Sequence, residues 1–412
     1  MTHPRRALII GGGIAGPAAA IALQKAGIDS VIYEAHPSGA EGIGSFLTLG
    51  SNGIDALRTV GAEGAALAAG FPTPSIALRG NTGKHLGLSR ISAPLTGGTT
   101  SRTLKRSDLY RVMHDEASSR GIRFEYGKRL TGAVETGDGV LATFADRSEA
   151  TGDLLIGSDG VHSAARAVID RDAPEPTYAG LVSLGGYVRD AGLEPESGSY
   201  TMIFGKRAFF GYAAAPDGEV WWFANLPRRD EPARGELPAI DAEEWRRRLI
   251  GLYRDDAGPA VRMLEATPST DIGPASAIHL IPHLRNWHRG RMVLIGDSAH
   301  APSPSSGQGA SLSIEDAVVL AKCLRDLPDH REAFSRFEAL RRPRVERIVK
   351  AAARINNSKA AGPAGRVIRD AVLPFIMKFA AGSKQTQEIY AYHIDWDAPV
   401  TGSQRRTVAL AT

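Results

Sequence analysis

Hydrophobic positions along the chain change period several times, and each change marks an element. Ala7–Ile10 is an unbroken apolar run suited to a strand buried on both faces, and Ile14, Ala18, Ile21 and Ala22 then recur at helical spacing until Gly27. Ser30–Tyr33 reads as a second strand ending at Glu34, and a helix is expected near Asn52–Val60. From Phe71 to Leu104 the pattern breaks into short strands separated by Gly and Pro turns. Helical spacing returns at Leu109, Val112, Met113 and Ala117, with Ser107 placed to cap the helix. Ile122–Tyr126, Arg129–Thr136, Val140–Phe144 and Asp153–Ile156 read as strands, the last running into Gly157, Ser158, Asp159 and Gly160.

Tyr178–Leu226 is strand after strand and rich in aromatic residues, which predicts an antiparallel sheet inserted into an α/β chain. Along two of its strands Phe210, Tyr212, Trp222 and Ala224 fall on one face and Trp221 and Phe223 on the other, and Pro216–Gly218 make the turn of a hairpin. A helix is expected over Asp241–Asp255, a buried strand at Met292–Ile295, and a long helical tail to about Asn356. Val367, Ile368, Ala371, Val372, Phe375, Ile376 and Phe379 form an amphipathic stripe expected to pack on the body, since Pro374 interrupts any long membrane-surface helix. The fold class is therefore α/β (mixed α+β): a Rossmann-like domain, an inserted, mostly antiparallel sheet and a helical C-terminal part.

Composition narrows the function classes. The chain has 412 residues, a net charge of +4, 43% hydrophobic and 23% charged residues, so it is neither disordered nor basic enough to make nucleic acid its main partner. The single Cys323 excludes a disulfide framework and fits a reducing, cytoplasmic setting. No uncharged apolar stretch is long enough for a membrane span, and the glycines at 11, 12, 13 and 16 make a folded start a better reading than a signal peptide. His85, His279, His283 and His288 lack metal-ligand spacing, so no metal is expected. Ser163 and Ser298 lack the Gly-x-Ser-x-Gly elbow of serine hydrolases.

The chemistry starts at Gly11-x-Gly13-x-x-Gly16, set between strand and helix, with Glu34 at the end of the next strand. Gly11 permits a tight turn, Gly13 lets the backbone approach a pyrophosphate, and Gly16 lets helix and strand close up. Ile14 and Ala15 open a helix whose free N–H groups suit a phosphate, and Glu34, followed by Ala35, would accept hydrogen bonds from ribose hydroxyls. This motif alone fits FAD and NAD equally.

Two further segments decide between them. Asp153-Leu-Leu-Ile-Gly-Ser-Asp159-Gly160-Val-His162-Ser163 resembles the DG motif of flavoprotein monooxygenases. Gly290-Arg-Met-Val-Leu-Ile-Gly296-Asp297-Ser-Ala-His300, running through Pro304 to Gly307-Gln308-Gly309-Ala310, resembles their GD motif. With the glycine loop they identify the chain as similar to the class A, single-component FAD-dependent monooxygenases of the para-hydroxybenzoate hydroxylase fold. Salicylate hydroxylases and tetracycline-inactivating monooxygenases are closest in size.

The resemblance implies tightly bound, non-covalent FAD and a transient NAD(P)H donor. One atom of O2 would be inserted, by hydroxylation, into an aromatic or polycyclic small molecule through a flavin C4a-hydroperoxide. It implies that Asp297 binds the ribityl chain, that Gly307, Gly309 and Ala310 open a helix at the pyrimidine edge, and that Arg106, Leu130 and Asp159 also serve FAD. No side chain is expected to act as a nucleophile; Pro304 and Gly307 lie nearest the flavin by motif position. Tyr212 and Trp222, with Pro304, are expected to wall the substrate pocket. The expected organisation is an FAD-binding domain from 1–70, 105–176 and 284–345, a substrate domain from 71–104 and 177–283, and a C-terminal helical segment from 346–412. Two departures stand out: His36-Pro37 replace an arginine often found after the acidic strand end, and Ser311 replaces a frequent Asn. The alternatives are a flavin reductase, another FAD oxidoreductase on the same fold, or a non-catalytic FAD-binding protein; a halogenase is disfavoured because the Trp-x-Trp-x-x motif is absent.

Overall fold

The computed structural model describes residues 6–38, 45–93, 98–189, 191–192, 198–359, 368, 370–375 and 384–400. Its first layer is a six-stranded sheet in the spatial order 288–289, 292–294, 154–157, 6–10, 29–33, 123–125. All neighbours pair in parallel except the outermost strand, His288–Arg289. Parallel strands covered on both faces read as continuous apolar runs, and Ala7, Leu8, Ile9 and Leu154–Ile156 are fully buried. The helices Ala15–Lys25 and Gly309–Asp326 belong to the same buried core.

The second layer is a seven-stranded sheet in the order 276–280, 177–188, 220–227, 209–214, 199–204, 75–80, 85–90. Only the pair Ser199–Phe204 and Ser75–Gly80 is parallel. Alternation gives this sheet two distinct faces. On one, Val182, Leu184, Phe210, Trp222 and Ala224 pack with Trp245, Leu249, Tyr253 and Met263 of the helices Ala242–Tyr253 and Ala260–Ala266. The other face carries Trp221 and Phe223 and turns toward a small sheet made by Phe46–Leu49, Phe71–Pro72 and Arg102–Lys105. Phe46 touches Tyr200, Trp221 and Phe223 there, and Phe71 touches Trp221.

Ser107 is not the helix cap. The helix starts at Arg106, with Lys105 at the cap and no side-chain cap bond, because strand Arg102–Lys105 runs straight into it. Ser45 supplies the missing acceptor: its carbonyl takes the Arg106 N–H at 2.9 Å. Helix His330–Lys359 runs unbroken through residues 345 and 346, where a boundary was expected.

The C-terminal strap, residues 384–400, returns to the helices of the parallel sheet. Ser51 Oγ donates to the Tyr390 carbonyl at 2.7 Å, His393 Nδ1 meets Asp55 at 2.6 Å, and Trp396 lies between Lys25 and Arg325. Of the amphipathic stripe, Val367, Ile376 and Phe379 lie outside the described residues. Its described members Ile368, Ala371, Val372 and Phe375 are all exposed, so they do not make the expected packing; Leu373, which is not part of the stripe, packs against the cluster of Leu78, Leu86, Phe204 and Phe209 instead. Among the described residues no helix is long and apolar enough to cross a membrane.

Candidate functional site

The three motif glycines do different work. Gly11 has φ +105°, and a Cβ there would lie 2.5 Å from the Ser158 carbonyl oxygen. A Cβ on Gly16 would lie 2.0 Å from the Gly11 oxygen, so no side chain fits between helix and turn. Gly13 faces open space, with nothing within 4 Å of its Cβ position. Ile14 and Ala15 start a helix whose first turn carries no acidic residue and no side-chain cap bond, leaving its N–H groups and positive end toward that space.

Glu34 sits beside this loop and is buried. Its Oε2 accepts from the Gly12 N–H at 2.7 Å and its Oε1 from the His36 N–H at 2.8 Å. Residue 36 therefore serves Glu34 through its backbone, whatever its side chain. Ala35 bridges these two positions, half-buried. Leu130, also buried, begins the strand Leu130–Glu135 opposite Phe144, whose ring stacks on Tyr33 at 4.9 Å.

The DG and GD segments meet. Asp159 Oδ1 accepts from Ser163 Oγ at 2.5 Å and Ser298 Oγ at 3.2 Å, and its Oδ2 accepts from the Ala165 N–H at 3.0 Å. Ser298 Oγ in turn accepts the Gly160 N–H, and Arg166 donates to the Ser298 carbonyl. Asp159 thus ties the two loops together.

Asp297 is the odd member. It opens the short helix Asp297–His300 and is half-buried, and its Oδ1, itself buried, has no hydrogen-bond partner. Burial pushes its carboxyl above the ordinary aspartate range, against the opposing pull of Arg106 and His300. Leaving a buried acceptor unsatisfied costs about 1–3 kcal/mol. Arg106 itself is exposed. Further on, Pro304 opens a 3-10 turn, and Pro304 and Gly307 are both exposed. Gly307 has φ +58° and nothing within 4 Å of its Cβ position, while Gly309 and Ala310 begin the helix Gly309–Asp326, again without a side-chain cap bond. Two uncapped helix starts, two open glycines and one orphaned carboxylate suit a long anionic cofactor with hydroxyl donors in its middle. The residues present fit FAD.

Sequence reasoning missed what holds the GD loop. Asp316 accepts from the Gly296 N–H at 2.9 Å, from His300 Nε2 at 2.5 Å and from Arg341 Nε at 2.6 Å, and Arg341 also pairs with Glu315 at 2.6 Å. Arg344 closes on Glu315 at 2.8 Å, and Asn52 bridges Glu315 and the Gln308 side chain. Burial alone would raise the Asp316 pKa, but His300 and Arg341 outweigh it and bring it to about 2. In sequence, Arg341 and Arg344 belong to what looks like a surface charge cluster, yet Arg341 is fully buried. Only the acidic pair 315–316 in the same motif hints at partners. Ser311, in place of the frequent Asn, accepts the Gly50 N–H at 3.0 Å.

The expectation for Tyr212 and Trp222 is corrected. Trp222 is fully buried on the helix-covered face, donating to Thr267 at 3.0 Å and stacking on Phe210, and Tyr212 packs into the same cluster. The face toward Phe46 and the small sheet carries Trp221, Phe223, Tyr200 and Met202 instead. Tyr390 of the strap joins Tyr200 there, and burial raises both phenols, Tyr390 to about 12. The alternation along the strands was legible; which face meets the cofactor side depends on where two distant helices pack. A groove of about 800 Å³ lies between Thr131–Glu135 and Ala164–Val168, with Gly290 and Met292 from the start of the GD segment in its lining.

The chain is 33% identical to the FAD-dependent urate hydroxylase of Klebsiella pneumoniae, over 84% of this chain and 88% of that one. It is 32% identical to the aurachin C monooxygenase/isomerase of Stigmatella aurantiaca, with the same coverage. The crystal structure of Klebsiella pneumoniae HpxO with FAD and uric acid matches with a TM-score of 0.80 at 28% identity, covering 94% of this chain and 96% of that one. A family model described as an FAD binding domain matches residues 5–352, and the chain belongs to that family.

Proposed function

We propose that this protein is an FAD-dependent monooxygenase that uses NAD(P)H and O2 to hydroxylate a flat aromatic or polycyclic small molecule. The observation that carries the reading is the orphaned Asp297 Oδ1 between two uncapped helix starts. Gly13 and the N–H groups after Ile14 would receive the pyrophosphate, Glu34 the ribose, and Asp297 the ribityl hydroxyls. The helix opening at Gly309 would place its positive end against the pyrimidine edge, where negative charge collects on reduction. FAD, when bound, supplies the oxygen activation and transfer. The chain supplies orientation and dryness: Phe46, Trp221, Phe223 and Tyr200 form an aromatic wall on which a flat ring stacks and from which water is excluded. The FAD-binding part would comprise 1–70, 105–176 and 284–345, the substrate-binding part 71–104 and 177–283, and the C-terminal part 346–412, with helix His330–Lys359 continuous from the first into the last.

Purified protein is expected to be yellow, to release FAD and not FMN on denaturation, and to oxidise NADH or NADPH faster when a suitable aromatic compound is present. A colourless protein that cannot be reconstituted with FAD overturns the reading.

A further inference from the structure

We propose that Asn225 is a specificity-determining residue of the substrate pocket, and that it selects flat ring substrates bearing an O–H or N–H donor. The inference rests on the function proposed above and adds the class of substrate.

Asn225 lies on strand Val220–Pro227, level with Ser183 on one neighbouring strand and Phe209 on the other. It is two residues beyond Phe223 and so shares its face. That this face turns toward the cofactor side is fixed at two points: a Cβ on Gly185, the register partner of Phe223, would strike Ser45, and Phe223 itself touches Phe46. On this face Asn225 has the Ser183 position on one side and the Phe209 position on the other. The Phe209 and Phe223 rings are 6.0 Å apart, and Phe223 lies over Gly211, where a Cβ would come within 2.3 Å of its ring.

Asn225 is 3% exposed, and its Oδ1 has no hydrogen-bond partner. A buried amide oxygen is costly unless a donor reaches it. Asp297 presents the same defect, and the ribityl hydroxyls answer it. Nothing in the cofactor assignment answers Asn225. A neutral acceptor at the edge of an aromatic wall would orient a stacked ring by its donor group and reject the analogue lacking one, because the amide would then stay unpaired.

The test uses the FAD-loaded protein and four probes, quinoline and its 4-, 6- and 7-hydroxy derivatives, titrated by the change in flavin absorbance. At least one hydroxyquinoline is expected to bind about tenfold more tightly than quinoline in the parent, falling to less than about threefold in Asn225→Leu, with FAD content unchanged. Asn225→Ala, which adds no volume, replaces the leucine variant if that one melts early. A parent that does not favour any hydroxyquinoline overturns the proposal. So does a preference kept in both variants, or a variant that loses FAD rather than discrimination, which would assign Asn225 to the cofactor. Failure of the parent to hold FAD would instead count against the proposed function itself.

Discussion

Asp297 shows how one side chain can be unfavourable to the empty fold and useful to the loaded one. Its Oδ1 is buried and unpaired, and its pKa is raised from 3.8 mainly by burial. A group whose folded pKa is raised binds its proton more tightly in the folded state, so stability falls as pH climbs from about 4 toward the folded value. Asp297→Asn removes the charge, and the FAD-free protein is expected to melt at a higher temperature at pH 7, by the equivalent of about 1–3 kcal/mol. The same variant is expected to hold FAD about fivefold to tenfold less tightly, since a neutral acceptor makes a weaker hydrogen bond than a carboxylate. Paired melting curves and FAD titrations check both signs. A variant that is less stable without FAD contradicts the orphaned-carboxylate account. At this scale much was legible: Gly11, Gly13, Gly16 and Asp297 announce themselves by type and spacing. Ser107 was misread because a capping residue is recognised by local pattern, while the real acceptor, Ser45, is 61 residues before Arg106 in sequence.

Among the elements, the hairpin Phe209–Ala214 and Val220–Pro227 divides the aromatics packed under the helices from those turned toward Phe46. Trp222→Ala empties a fully buried site under the helices Ala242–Tyr253 and Ala260–Ala266, and is expected to cost about 3–5 kcal/mol in a urea or thermal melt. Whatever enzyme stays folded should couple NAD(P)H oxidation to product as the parent does. Phe223→Ala, one residue along and on the opposite face, is expected to keep FAD and lose less stability while sending a larger share of turnover to H2O2. Measuring H2O2 against product for the two variants checks the division; equal uncoupling by both contradicts it. The strands, their alternation and the turn at Pro216–Gly218 were readable because they are local. The choice of face was not, since it is made by Trp245, Leu249 and Met263, which arrive from later in the chain.

Across the whole molecule, the GD loop is held from the C-terminal side. Arg341, in the helix His330–Lys359, binds Asp316 and Glu315, and Asp316 grips Gly296 and His300 on either side of Asp297. Removing one partner of a buried ion pair leaves a charge uncompensated, so Arg341→Met is expected to lose about 3–5 kcal/mol. Urea unfolding checks this, and a loss below about 1 kcal/mol, typical of a surface pair, contradicts it. The depressed Asp316 pKa, about 2, means that its contribution is complete above the unfolded value of 3.8 and is lost as pH falls from there through 2. Acid unfolding of the parent is therefore expected to have a component in that window that Asp316→Asn lacks. The order of motifs was enough to foresee a nucleotide-binding layer interrupted by a sheet. The strap at 384–400 was not foreseen, because its ties to Ser51, Asp55 and Arg344 are single contacts with no periodicity.

Oxygen insertion by the FAD-loaded protein is read out by mass spectrometry of products formed from aromatic compounds with NADH or NADPH under oxygen-18 gas. A compound that stimulates NAD(P)H oxidation is expected to give a product carrying one labelled oxygen atom. Stimulated oxidation that yields only labelled H2O2 across such compounds, or a product whose added oxygen comes from water, would contradict that expectation.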